Sequence, residues 1–327
     1  MDNWKIIDYE NFVNDYLMID NDTVRKISRE AKSENLYEEI KLKKTAHKKE
    51  RVVYAINKNS VIYLCQNNLK NKFFTNVFFS SCAYGFIKER SYFDYLNYHT
   101  IIGEETYFLR LDVKDFFNSI SVEDFKECIE YYIDKNCSKN DKNKIIDLLI
   151  QITTHDEKFV QGAVTSPDIS NLVFRSLDIR ISNYCNKLGV KYSRYADDML
   201  FSSSDKYIHS KRFIAMIKSI IAVKGFELNY EKILKQTGKL VINGYVITET
   251  INPSRKKFKN INNVLYLISK NPSITKTFWG DPNYIVLNYI CGYRCHLIQL
   301  SRYCDERHKS MINKTINRIE NVVEKYF

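Results

Sequence analysis

Proline is scarce in this sequence. Four occur in 327 residues, Pro167, Pro253, Pro272 and Pro282, and no low-complexity linker or repeat accompanies them. The chain therefore reads as one continuous body of mixed α and β character rather than as modules strung on spacers. Long apolar runs are missing as well: none approaches the about 20 residues that a membrane-spanning helix needs. The opening MDNWKIIDYENF is acidic, where a secretory leader is basic and then apolar. The expectation is a cytoplasmic protein that does not enter a membrane. Dense cysteine spacing is absent as well. The eight cysteines, at 65, 82, 128, 137, 185, 291, 295 and 304, are too dispersed for a disulfide scaffold, which predicts reduced and partly buried thiols. One stretch, CGYRCHLIQLSRYCDERH, gathers Cys291, Cys295, His296, Cys304 and His308. Its offsets of three and four residues are those of a single helix face and predict packing as readily as metal binding, and it lacks the Cys-x-x-Cys knuckle usual in zinc sites.

Acidic residues are outnumbered. Lys plus Arg total 50 against 39 Asp plus Glu, a formal net charge of +11, which favours a polyanionic partner such as nucleic acid or an anionic membrane surface. The length allows a substantial core divided among two or three subdomains.

Along the chain, residues 1–40 have weak helical spacing. The stretch KLKKTAHKKERVVYAINKNSVIYL alternates basic with β-branched or aromatic residues and predicts a basic hairpin or strand pair. TYFLRLDV, 106–113, reads as a buried strand, followed by a helix capped near Ser121. In SPDISNLVFRSLDIRISNYCNKL the residues Ile169, Leu172, Val173, Leu177 and Ile181 form a helical stripe, with Pro167 in the permitted first turn. KLVINGYVI, 239–247, reads as a further strand, and everything beyond Pro253 as helix, with Ile312, Ile316, Ile319 and Val323 on one side of the last.

Two carboxylate groupings stand out. YSRYADDMLFSS, 192–203, sets Asp197 beside Asp198 between two β-rich runs. Neighbours in a strand face opposite ways, so both can approach one point only at or beside a tight turn. Their mutual repulsion would be relieved by a cation, and oxygen donors suit a hard divalent ion, Mg²⁺ above all. A solvated turn explains a bare Asp pair equally well. Upstream, LRLDVKDFFNSI ends a predicted strand at Asp112, with Asp115 three residues later. QGAVTSP, 161–167, opens the striped helix.

In this order and spacing these segments resemble the palm of a reverse transcriptase: Asp112 with an aromatic, Phe117, five positions on; the Gln-Gly-x-x-x-Ser-Pro element at Gln161 and Gly162; and the Tyr-Ala-Asp-Asp box. The resemblance covers most of residues 45–300, with GFELNYEKI carrying a family lysine at Lys232, INGYVI similar to the primer-gripping hairpin through Asn243 and Gly244, and KKERVVYAI similar to the fingers strand that holds a triphosphate through Lys49 and Arg51. QGAVTSPDISNLVF and YICGYRCHL look most like the retron class. Two segments depart from its pattern: YLNYH keeps only His99 of Asn-Ala-x-x-His, and Ile242, Asn243 and Gly244 stand where Val-Thr-Gly is usual. His99 is expected to be structural.

The resemblance implies an α+β right-hand polymerase with an antiparallel palm sheet packed on helices. Its parts would be an N-terminal helical region 1–34, fingers 35–105, palm 106–250 and a helical, RNA-binding thumb 251–327. It implies RNA-directed DNA synthesis with a pair of Mg²⁺ ions held by Asp112, the Val113 carbonyl, Asp197 and Asp198. Asp115, Phe117, Gln161, Gly162, Lys49, Arg51 and Lys232 would contact the dNTP, Phe117 as the filter against a ribose 2′-hydroxyl. Arg294 and Arg302 would bind RNA. A structured non-coding RNA as template and primer, RNA-linked DNA as product, and an effector protein in antiphage defence complete the implied picture. Other bacterial reverse transcriptases, of group II intron or abortive-infection type, and a non-polymerising nucleic-acid-binding relative are the alternatives.

Overall fold

The computed structural model describes residues 5–42, 51–100, 105–270 and 284–326. The first forty residues are helical only in part. The short α1 (Tyr9–Asn11) runs into a π-type segment, Phe12–Leu17, and α2 (Asn21–Glu30) is capped by Asp20, whose side chain accepts from the Thr23 amide at 2.7 Å. The chain then turns into β1 (Tyr37–Leu42), which pairs antiparallel with β2 (Arg51–Ile56) from Tyr37↔Ile56 to Leu42↔Arg51. Residues 37–40 have helix-forming composition, and pairing with a β-branched partner overrides it. The same competition goes the other way at VIYL, expected as strand. Ser60 accepts from the Tyr63 amide at 3.0 Å and starts α3 (Val61–Asn68), which buries Ile62 and Cys65.

α4 (Tyr92–Asn97) begins with a Ser91–Asp94 capping box. A four-stranded antiparallel sheet follows, in the order β4–β5–β3–β6: β3 (Tyr107–Asp112), β4 (Lys191–Tyr195), β5 (Asp198–Ser203) and β6 (Leu234–Thr237). Both faces are covered. Leu109, Leu111, Met199 and Phe201 point into a core shared with α5 (Val122–Glu130), α6 (Lys139–Thr153), α7 (Ser166–Lys187) and α8 (Lys211–Ala222). Ser121 caps α5, and the whole expected stripe of α7 is buried. Phe108 and Leu200, on the opposite face, join a second core with a three-stranded sheet, β7 (Leu240–Ile242), β8 (Tyr245–Ile247) and β9 (Ile251–Pro253), and with α9 (Arg255–Lys270), α10 (Tyr284–Leu300) and α11 (Glu306–Tyr326). Residues 239–247 are thus not one strand but a hairpin. Asn243 and Gly244 turn it with φ of 49° and 83°, the left-handed pair that a two-residue hairpin loop requires. No helix among the described residues is long and apolar enough to cross a membrane.

His99 is buried between two hydroxyls, Nδ1 2.7 Å from Ser202 Oγ and Nε2 2.7 Å from Ser193 Oγ, and burial pushes its pKa down to about 3. Its role is structural. In the cysteine cluster, the Cys304 thiol donates to the carbonyls of Ile251 (3.0 Å) and Leu300 (3.3 Å), and His308 Nδ1 lies on Asp305.

The β4–β5 hairpin is bolted to α7 by a fully buried ion pair. Arg194 Nε donates to Asp178 Oδ1 at 2.9 Å and Nη2 to Oδ2 at 2.8 Å, while Tyr192 Oη donates to Oδ1 at 2.7 Å. Asn171 Oδ1 and the Ala196 carbonyl, each at 3.0 Å, take further guanidinium protons. Removing one partner leaves the other charged and dry. Arg194→Met should therefore lower unfolding free energy by about 3–5 kcal/mol in a urea titration, whereas Arg194→Met with Asp178→Leu should recover most of that loss. Equal losses in the single and double variants would contradict this account.

Candidate active site

The register of β3 on β5 sets Asp112 directly across from Asp198. Tyr195 pairs with Asp198, so the β4–β5 loop consists of Ala196 and Asp197 alone, with Ala196 at φ 55°. The Val113 amide donates to the Asp197 carbonyl at 3.0 Å and ties that loop to the end of β3. The hairpin-tip address expected for the Asp pair is the one observed. A third segment braces it. Arg194 exchanges backbone bonds with the Cys82–Tyr84 run, its amide donating to the Cys82 carbonyl and its carbonyl accepting from the Tyr84 amide, each at 2.8 Å, and the next residue, Gly85, passes so close that a Cβ on it would stand 2.6 Å from the Ala196 nitrogen.

Each carboxylate has a defined electrostatic setting. Asp112 is buried, and Lys232 Nζ lies 2.8 Å from both its oxygens. Lys232 arrives there because the Asn229 amide donates to the Asp112 carbonyl at 2.8 Å and a short 3₁₀ turn, Tyr230–Lys232, follows. Asp198 faces Arg110, two residues before Asp112 and on the same face of β3. Arg110 Nε reaches Oδ1 at 2.8 Å, and its Nη2 reaches Oδ1 and Oδ2 at 2.6 and 2.7 Å. Burial, the largest influence, raises the Asp198 pKa to about 6, with Arg110 opposing and Asp197 and Asp112 adding to it. The contact from both Nε and Nη2 commits Asp198 to Arg110.

Among the described residues no three Asp, Glu, His or Cys side chains converge as a ready-made ligand group. Asp112 and Asp197, with the backbone oxygen of Val113, would make a smaller, all-oxygen donor set. That fits Mg²⁺, which commonly takes one or two carboxylates and completes its octahedron from water and substrate phosphate.

Phe116 and Phe117 diverge. Phe116 is 5% exposed, with ring centroids 5.7 Å from Phe174 and 5.8 Å from Phe226, whereas Phe117 is half-buried and meets Phe86 at 6.2 Å. Asp115 is exposed at φ 46°, and its carbonyl takes the Ser119 amide at 3.0 Å. The Gln161 carbonyl accepts from the Tyr54 amide at 2.9 Å. A Cβ at Gly162 (φ 122°) would sit 1.8 Å from the Tyr54 oxygen, so β2 itself approaches closely enough to require glycine there. Lys49 and the Arg51 side chain lie outside the described residues. Arg294 is held within the C-terminal helices, donating through Nε and Nη2 to Glu320 Oε1 at 2.8 and 2.6 Å, whereas Arg302 is exposed.

The family described as reverse transcriptase (RNA-dependent DNA polymerase) matches residues 41–257. The chain belongs to that family. The retron Ec73 reverse transcriptase of Escherichia coli is 31% identical over 192 residues, 56% of this chain and 58% of that protein. The retron Ec86 reverse transcriptase of the same organism is 30% identical over 187 residues, covering 56% and 54%. The retron Mx65 reverse transcriptase of Myxococcus xanthus is 26% identical over 179 residues, covering 51% and 42%. The matches thus span about half the length of these curated relatives. Apo telomerase from Candida tropicalis superposes with a TM-score of 0.50 at 14% identity over 90% of this chain and 63% of that one, a likeness of fold. The architecture is that α+β polymerase fold.

Two further residues shape this site. Arg110 has a readable signal in the sequence, since strand alternation puts 110 on the face of 112. Gly85 has none, because its close approach to Ala196 spans more than a hundred residues of chain. The Phe pair yields a stability prediction. Phe116→Ala should cost about 3–5 kcal/mol by urea denaturation, and Phe117→Ala well under half of that. The reverse order would place the wrong ring in the core.

Proposed function

We propose that this reverse transcriptase is of retron type. It copies a dedicated structured RNA that is both template and primer, leaves single-stranded DNA joined to RNA, and acts beside an effector protein in antiphage defence. The observation that carries the polymerase reading is the meeting of Asp112 and Asp197 at the end of β3, with Lys232 on Asp112. The retron assignment is supported by the curated relatives, all three of them retron enzymes. In this reading fingers extend to about residue 105, the palm to about 250 and the thumb beyond.

Asp112, Asp197 and the Val113 carbonyl would hold the pair of Mg²⁺ ions. Asp198, paired with Arg110, would shape the field rather than ligate directly. When bound, the metal pair supplies Lewis-acid activation of the primer hydroxyl and charge neutralisation at the phosphates. Lys232 exchanges its bond to Asp112 for a triphosphate oxygen and can donate a proton to the departing pyrophosphate. Lys49 and Arg51 grip the triphosphate. Gln161, Gly162 and the exposed Asp115 border the nucleotide, and Phe117, braced by Phe86, closes the space a 2′-hydroxyl would fill. Asn243 and Gly244 bear on the primer strand. Arg302, exposed, is better placed to meet RNA than Arg294, which must first leave Glu320.

Asp112→Asn and Asp197→Asn should each cut dNTP incorporation on a primed RNA by about two to three orders of magnitude or more, with circular dichroism and RNA binding retained. Near-normal extension by either purified variant would refute the site. Phe117→Ala should raise incorporation of rNTP relative to dNTP, and Phe116→Ala should not. Sequencing of RNA and DNA copurified with the protein tests the dedicated template: a single structured RNA joined to DNA is expected, and a bulk mixture of cellular transcripts would contradict the retron reading.

A further inference from the structure

Tyr92, the first residue of α4, stands between the two parts of the molecule that a primer end would have to touch together. Its ring meets that of Tyr195, the last residue before the Ala196–Asp197 loop, edge-on with centroids 5.2 Å apart and planes at 89°. Its hydroxyl accepts a hydrogen bond from Asn243 Nδ2 at 2.8 Å, on the turn of the β7–β8 hairpin. Asn243 is exposed and left-handed at φ 49°, and among the described residues this is the bond that orients its side chain. Tyr92 is itself firmly mounted. Asp94 closes the capping box of α4 and accepts from Tyr303 Oη at 2.6 Å, and Phe93 packs on Tyr245 at 5.3 Å and on His296 at 5.1 Å. A half-buried ring on a braced helix thus fixes the spacing between an aromatic of the catalytic hairpin and an amide of the turn.

We propose that Tyr92 is a positioning residue for the primer terminus, setting the distance between the Asn243–Gly244 turn and the Asp112–Asp197 junction. The proposal rests on the polymerase reading above and names which substrate the residue serves. The ligand is the end of a primer strand paired to RNA, not the incoming nucleotide, because Phe117, Gln161 and Lys232 reach the site from other segments.

Tyr92→Phe removes one hydroxyl and keeps the ring, so it isolates the bond to Asn243. Binding of a fluorescently labelled DNA primer on an RNA template, followed by anisotropy without dNTP, should weaken about three- to tenfold in Tyr92→Phe and similarly in Asn243→Gly, the range expected for one hydrogen bond. The double variant should be no weaker than either single one, and the KM for dNTP should stay within about twofold of wild type. Tyr92→Leu, which also removes the ring from Tyr195, should lower kcat in addition. Unchanged duplex affinity in Tyr92→Phe, additive losses in the double variant, or a shift confined to the dNTP KM would each overturn the proposal. Asn243→Gly tolerates the left-handed turn, lies on an exposed loop and keeps the comparison available if a Tyr92 variant folds poorly. Because affinity is read without catalysis, a wild-type protein that binds the duplex but never extends it would sink the polymerase reading while the double-variant cycle still decides the role of Tyr92.

Discussion

The buried Arg194–Asp178 pair is the constraint on which the site depends. Two charges at zero exposure are costly to dehydrate, and an apolar pair of similar size would hold the hairpin to α7 at least as tightly. What an apolar pair could not do is reach the Ala196 carbonyl. One guanidinium spans Asp178, Asn171 and that carbonyl, so the backbone of the two-residue loop is fixed relative to a 22-residue helix. Asn171 extends the same network, donating from Nδ2 to the Gly85 carbonyl at 2.9 Å on the segment that braces the loop. The interaction thus supplies direction more than stability. Asp197 is presented by a loop with very little freedom left, and a ligand sphere needs that restriction.

Charge compensation is the second layer. Three carboxylates within one junction would repel strongly in a half-dry setting, where Coulomb energies are several times those in water. Arg110 neutralises Asp198 with a bidentate contact, and Lys232 neutralises Asp112 from a position about half exposed. The two cations differ in kind. The guanidinium is a planar fork locked on both oxygens, a permanent partner; the ammonium is a point charge on a flexible stem that can exchange one oxygen for another. The junction therefore has one carboxylate held by a rigid fork and one whose cation is the more easily displaced.

How much of this was legible varies with the range of the interactions involved. The Asp hairpin, the α7 stripe, the Ser121 cap and the helical C-terminal region follow from local rules of turn chemistry, periodicity and capping, and all are in the structure. Residues 37–40 and 61–64 went the opposite way from their composition, because strand pairing with β2 decided one and a single Ser60 cap decided the other. Gly162 meets a demand that its motif does not disclose, the close approach of the Tyr54 carbonyl. Arg294 was legible as basic, yet its charge is spent on Glu320, a partner 26 residues away that no spacing rule picks out.

Register explains why so small a set of residues can define the site. Along β3, Leu109 and Leu111 enter one core, while Phe108, Arg110 and Asp112 share the other face. A slip of β3 by one residue would turn Asp112 and Arg110 into the core lined by Met199 and Phe201 and bring Leu109 and Leu111 to the catalytic face. That would strand two charges among apolar side chains at a cost of several kcal/mol each, so the sheet has one tolerable alignment. In that alignment Asp112 must oppose Asp198, and Arg110, one pleat back on the same face, must lie diagonally beside it. The hydrophobic pattern of the strands thus fixes the geometry of the carboxylate junction. The carboxylates occupy positions that core packing has already determined, and Arg110 and Lys232 make those positions electrostatically tolerable.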